Sequence, residues 1–118
     1  MTLKTLTIQK GSRIEYSSPE LLFLGQSGQP YRASLFVKFT SKGEGFDLRD
    51  FKRYITSLRA KTFYSEDIAH EIFTTISNSI TVDDLGVIVD ITARGGIQQR
   101  VSFGEAFIPT KKANMFQI

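Results

Sequence analysis

The spacing of apolar positions changes period twice along this chain. Near the start, "LKTLTIQ" sets Leu3 on one parity and Leu6 and Ile8 on the other, an imperfect strand pattern. "ASLFVKFT" is rich in residues that suit pleated backbone and is bounded by "GQPY" and "SKGEG". It predicts a clearer strand, ended by the Gly-Glu-Gly piece. From Asp47 the period lengthens, with Leu48, Phe51, Ile55 and Leu58 recurring at helical spacing. This predicts an amphipathic helix capped by Asp47. A second helix is predicted from Ser65, with Glu66 and Asp67 at the positive end of its dipole and Ile68, Ile72, Phe73, Ile76 and Ile80 as its apolar set. Alternation by two returns in "LGVIVDITA", where Leu85, Val87, Val89, Ile91 and Ala93 predict one buried face. Asp83 and Asp84 before it read as a turn. "RGG" breaks the run, and "IQQRVSFGEAFI" reads as an antiparallel partner across a hairpin.

This order, strands followed by two helices and two more strands, predicts an α+β fold. Both helices would pack on one face of a four-stranded antiparallel sheet. The 118 residues carry no internal repeat or low-complexity linker, so a single domain over 1–118 is expected. Open edges and a second sheet face invite association, which makes an oligomer an expectation before any relative is considered. The tail "TKKANMFQI" offers Met115, Phe116 and Ile118 for docking on this or a neighbouring subunit.

Composition narrows the chemistry by exclusion. There is no cysteine, which removes disulfides, thiolate metal sites and any cysteine nucleophile. His70 is the one histidine and sits off the apolar stripe, which reads as a surface histidine and leaves no transition-metal set. The start of the chain has neither a signal-peptide core nor a membrane span, so a cytoplasmic protein is expected. Net charge is +3, but the basic residues are dispersed. The densest run, "RDFKRYITSLRAK", holds Arg49, Lys52, Arg53, Arg59 and Lys61. A solvated helix face is favoured there over a nucleic-acid surface, with an anionic cofactor site as a third reading. Gly95 and Gly96 lack the spacing of a dinucleotide fingerprint, and "GQSGQP" lacks the lysine of a phosphate loop. Asp83 and Asp84 read as a solvated turn. Glu66 stays open between two roles: a helix-dipole carboxylate, or an acceptor of paired hydrogen bonds from a planar amidine-like edge.

Three segments, "LGQSGQP" before "ASLFV", "YITSLRAKTFYSEDIAHEIF" and "VIVDITARGGI", together resemble the QueF family in order and spacing. Its members are NADPH-dependent 7-cyano-7-deazaguanine reductases of queuosine biosynthesis with a tunnelling fold (T-fold). The similarity runs from about Pro19 to Gly104. It implies an oligomeric barrel with the site between subunits. At the position of the family cysteine, whose thiolate attacks the substrate nitrile to form a thioimide, this chain has Leu24. At the proton-donating aspartate after Gly-Gln-Pro it has Tyr31. The histidine before the substrate glutamate corresponds to Ser65, and the glutamate that reads the base is kept as Glu66. In the nicotinamide-cofactor segment "DLRDFKRY" supplies Asp47, Arg49, Lys52 and Tyr54.

A leucine cannot become a nucleophile, so the resemblance implies recognition without thioimide chemistry. The leading expectation is a QueF-like protein that binds a purine-like or 7-deazaguanine-type base, with Glu66, Ser65, Leu24 and Tyr31 around it. Arg49 and Lys52 are the expected cofactor-binding residues. NADPH is the weaker implication, no cofactor is assigned with certainty, and no catalytic residue is assigned. The alternatives are an enzyme with altered, non-covalent chemistry on a related deazapurine or pterin, and an assembly protein with a vestigial pocket. The expected partners are a small planar heterocycle and further copies of the chain, with membrane excluded and nucleic acid disfavoured.

Overall fold

The computed structural model describes residues 2–110. Four strands, β2 (Arg13–Leu24), β3 (Pro30–Ser41), β5 (Val82–Arg94) and β6 (Ile97–Gly104), form an antiparallel sheet in the order β2-β3-β5-β6. Two short strands, β1 (Thr5–Thr7) and β4 (Glu44–Phe46), make a separate ribbon with Thr5 opposite Phe46. The helices are α1 (Leu48–Ser57) and α2 (Ile68–Ser79), preceded respectively by an Asp47 cap and a 3₁₀ turn over Ser65–Asp67. Among the described residues no helix is long and apolar enough to cross a membrane.

The four-stranded sheet is present, but its first strand is not "LKTLTIQ". That segment supplies only the β1 ribbon, and β2 takes the edge position. The pattern of β2 is hidden by a register shift between Ser18 and Leu21, around Pro19. Ile14 and Tyr16 carry the inward parity before the shift, and Leu21 and Phe23 carry the opposite parity after it. The irregularity keeps all four toward the helices although the sequence alternation slips by one. Asp83 and Asp84 lie inside β5 rather than in a turn. The ladder shifts there opposite Lys38 and Thr40, and Asp84 takes φ 57°. The Gly-Glu-Gly piece does not end the strands outright, since Glu44–Phe46 is itself β4. The β5–β6 hairpin is as expected, with Arg94 opposite Ile97 and positive φ at Gly95 and Gly96, as a tight primed turn requires.

One sheet face is covered by both helices. Leu35, Val37, Val87 and Val89 at its centre are fully buried against Leu58, Ile68, Ile72 and Ile76. Each such side chain contributes roughly 1.5–3 kcal/mol of burial free energy. Two expected core positions are exposed instead: Leu48, 56% exposed, and Ala93. Tyr54 takes the inward place on α1, 1% exposed.

The other face of β5 is buried as well, at Ile88 and Asp90, beside Phe36 on β3. After Gly104 the chain turns back over this face. Glu105 N–H bonds Leu85 O at 2.8 Å, Lys38 Nζ lies 5.9 Å from the Phe107 ring, and Thr110 donates from N–H and hydroxyl to the Glu15 carboxylate. The expected docking residues Met115, Phe116 and Ile118 lie outside the described residues.

Candidate functional site

The β2–β3 connection is built from its own backbone. Leu24 pairs with Pro30, Gly25 N–H donates to Gln29 O at 2.8 Å, and Gly28, with φ 83°, donates to Gly25 O at 2.9 Å. Ser27 N–H donates to Gln29 Oε1 at 3.1 Å, and its hydroxyl bonds the same oxygen. Gln29 Nε2 in turn donates to the Tyr31 hydroxyl at 3.3 Å. Gly25 leaves room for both side chains: a Cβ there would sit 2.6 Å from the Gln29 amide and 2.7 Å from the Tyr31 ring and would push them aside. The loop is therefore rigidly self-bonded, and it fixes Tyr31 with its ring stacked on Phe23 at 5.2 Å.

Leu24 is gripped from the other side by the chain leading to α2. Its N–H donates to Lys61 O at 3.0 Å, and Phe63 N–H donates to Leu24 O at 2.8 Å. Phe63 meets Phe23 edge-on at 6.1 Å, so Phe23 carries both Tyr31 and Phe63. Two and three residues beyond Phe63 come Ser65 and Glu66 in the 3₁₀ turn. The fold thus brings the segments carrying Leu24, Tyr31, Ser65 and Glu66 to one end of the sheet.

Glu66 is exposed and turns toward β6, where Gln99 Nε2 donates to its Oε2 at 2.9 Å. That bond is the largest cause holding the Glu66 carboxyl below the ordinary glutamate range. Its own backbone N–H and the Ser65 hydroxyl assist, against a small desolvation effect. The carboxylate is thus ionised throughout the neutral range. Sequence reasoning missed Gln99. The available signal was parity, since Gln99 shares its strand face with Val101, a residue packed against the core.

His70 is exposed, as expected, but it is not isolated: its ring meets Phe103 edge-on at 4.7 Å, and Phe103 meets Phe73 at 4.8 Å. Among the described residues no group of three or more His, Asp or Glu side chains could hold a metal ion.

Arg49 and Lys52 lie elsewhere. Both are on α1, which packs beside β2, at the opposite edge of the sheet from the β6 strand that holds Glu66. Arg49 reaches back to the capping Asp47 at 3.7 Å, and its side chain is 83% exposed. Asp47 is held below the usual carboxylate range chiefly by the Arg49 backbone N–H, at 2.8 Å. Lys52 borders a groove of about 320 Å³ between α1 and β2, floored by Tyr16, Phe51 and Ile55 and rimmed by Glu20 and Arg59. Within one chain Arg49 and Lys52 therefore lie at the opposite sheet edge from Glu66, whereas Leu24 ends β2, the strand that α1 packs beside.

Comparison with known proteins fits this architecture. A solved structure, the archaeosine synthase QueF-Like in its apo form, superposes with a TM-score of 0.75 at 15% identity, covering 86% of this chain and all of that one. That likeness is one of fold, and it identifies the α+β arrangement as T-fold-like. Among curated proteins, the NADPH-dependent 7-cyano-7-deazaguanine reductase of Rickettsia prowazekii (strain Madrid E) is 37% identical over 71 residues, 60% of this chain. The corresponding reductase of Sulfurimonas denitrificans (strain ATCC 33889 / DSM 1251) is 27% identical over 85 residues, 71% of this chain and 68% of its own length. The chain spans about a quarter of the length of the Rickettsia relatives it matches. With no cysteine anywhere in its sequence, any activity it has does not run through the cysteine-dependent nitrile-reductase mechanism. The family model described as QueF-like protein matches residues 30–107, from the start of β3 to the returning segment after β6, and on that match the chain belongs to the QueF family.

Proposed function

We propose that this chain is a cytoplasmic, homo-oligomeric T-fold protein that binds a planar purine-like or 7-deazaguanine-type base through Glu66 without forming a thioimide. The observation that carries the reading is the state of Glu66: an exposed, ionised carboxylate, bonded by Gln99 and set beside the segment that grips Leu24. An ionised carboxylate accepts the paired N–H groups of a guanine-like edge with charge-assisted hydrogen bonds, and it needs no nucleophile to do so. Oligomerisation by the family's barrel would bring a neighbour's surface to this end of the sheet and complete an enclosed site. The bases to test are 7-cyano-7-deazaguanine, its aminomethyl relative, guanine and a pterin, by calorimetry. Binding of at least one, lost in Glu66→Ala, is the expected result. Silence from all four, or binding that survives Glu66→Ala, refutes the proposal.

A second reading, an assembly protein with a vestigial pocket, draws on a different observation. Tyr31 is stacked on Phe23 and bonded by Gln29, so the position of the family acid is spent on packing. That reading expects an oligomer by light scattering whose thermal midpoint no base shifts.

A further inference from the structure

Glu66 does not act alone at its end of the sheet. Its Oε2 takes one hydrogen of the Gln99 amide at 2.9 Å, and Gln99 is half-buried on the helix-facing row of β6. Among the described residues the second amide N–H has no protein partner. A carboxylate offers acceptors only, whereas a primary amide adds a donor. Together the two bonded side chains offer two acceptors and, next to them, one donor.

The complementary edge reads donor, donor, acceptor. That is the edge of a 2-amino-oxo-pyrimidine ring: an exocyclic amine, a ring N–H and a ring carbonyl. Guanine, 7-deazaguanine and pterins share it, and adenine, with an acceptor at the ring nitrogen and an amine in place of the carbonyl, does not. When the amine and ring N–H are held by the two Glu66 oxygens, the ring carbonyl falls beside the oxygen that takes the ring N–H. The Gln99 nitrogen can then donate one hydrogen to Glu66 and the other to the carbonyl.

We infer that Gln99 is the specificity-determining residue of this site, selecting the ring carbonyl by its second N–H while Glu66 holds the amine and ring N–H. The inference rests on the Glu66 base-binding reading. A purely structural Gln99, tying the Ser65–Asp67 turn to β6, would affect stability but not discrimination between bases.

The test compares guanine with 6-thioguanine, which keeps both N–H donors and replaces the carbonyl oxygen by sulfur, a weak acceptor. The readout is calorimetric Kd on the full chain. Native protein is expected to prefer guanine by roughly five- to tenfold, the worth of one hydrogen bond. Gln99→Leu is expected to bind both and to lose that preference. Gln99→Met serves as the second variant should Leu disturb the strand, with thermal midpoints recorded for each. A preference that persists in either folded variant overturns the role of Gln99 and leaves base binding intact. Native protein that binds neither base overturns the underlying reading as well, so the two failures are distinguishable.

Discussion

The Tyr54 hydroxyl on α1 donates to Glu71 Oε2 on α2 at 2.8 Å, and Thr75 donates to the same oxygen at 3.1 Å. Sequence patterning treats α1 and α2 as two separate amphipathic helices; this bond joins them at a fixed height. Burial holds Tyr54 in its neutral form, pushing its ionisation well above the usual phenol range, and the neighbouring Glu71 carboxylate acts in the same direction. Tyr54→Phe is expected to lower stability by about 1.5–3 kcal/mol, the range for a hydrogen bond to a charged acceptor, read by chemical denaturation. Because the folded value is raised, the stabilisation is complete below about 10 and is lost as pH rises beyond it, where the unfolded phenol ionises first. An alkaline unfolding limb that Tyr54→Phe does not soften would contradict this.

Glu66 is expected to titrate below the ordinary glutamate value of about 4.3. With the folded value depressed, its contribution is present above that pH and fades as pH falls through the folded value. Carboxyl carbon shifts followed by NMR would report it. Gln99→Leu removes the largest cause, so the midpoint should rise toward the ordinary value. An unmoved midpoint would mean that the Gln99 amide does not bond Glu66 in solution.

Leu24→Cys restores a thiol at the position of the family nucleophile, on backbone held from both sides by Lys61 and Phe63. The variant is expected to fold and to form no covalent adduct with 7-cyano-7-deazaguanine. An unassisted thiol is largely protonated at neutral pH, and the neighbouring family positions now carry Tyr31 and Ser65. Intact-mass spectrometry reads the outcome directly: a gain equal to the mass of one whole 7-cyano-7-deazaguanine, as addition across the nitrile requires, would show that the pocket lacks only its nucleophile.

On the sheet face away from the helices, Arg100 Nε and Nη2 grip the Asp90 carboxylate at 3.0 and 2.6 Å. Asp90 is buried while the Arg100 side chain is half exposed. Arg100→Ala should cost about 2 kcal/mol, less than the 3–5 of a fully enclosed pair, because water reaches the guanidinium side. Arg100→Lys should recover only part, since an ammonium cannot offer the planar fork. Urea midpoints of the three proteins test the order.

Helix α2, its acidic start and the β5–β6 hairpin were legible because Ile68, Ile72 and Ile76 keep strict helical spacing and Gly95-Gly96 is unambiguous turn chemistry. β2 was not legible, because the irregularity near Pro19 shifts the inward parity between Tyr16 and Leu21 and erases any single alternation. The pair Asp83-Asp84 misled for a related reason: a strand can absorb a positive φ in mid-course, and acidic residues alone do not distinguish that from a turn. Of the candidate site, the helix-start position of Glu66 left two roles open and only the QueF resemblance singled it out, whereas Gln99 is distant in sequence and carries no motif. Only the folded register brings a strand amide to a carboxylate 33 residues earlier.

Gly86 and Gly104 face each other across β5 and β6. A Cβ on Gly86 would sit 2.1 Å from Glu105 O and 2.9 Å from the Phe107 ring, while one on Gly104 would sit 2.5 Å from the Phe73 ring of α2. At this crossing the sheet is bare backbone, and two aromatic rings press on it from opposite sides. Neither position can therefore take even an alanine without displacing a backbone carbonyl, Glu105 O at Gly86 and Leu85 O, 2.3 Å away, at Gly104, so this stretch of the β5–β6 ladder is closed to side chains on both strands.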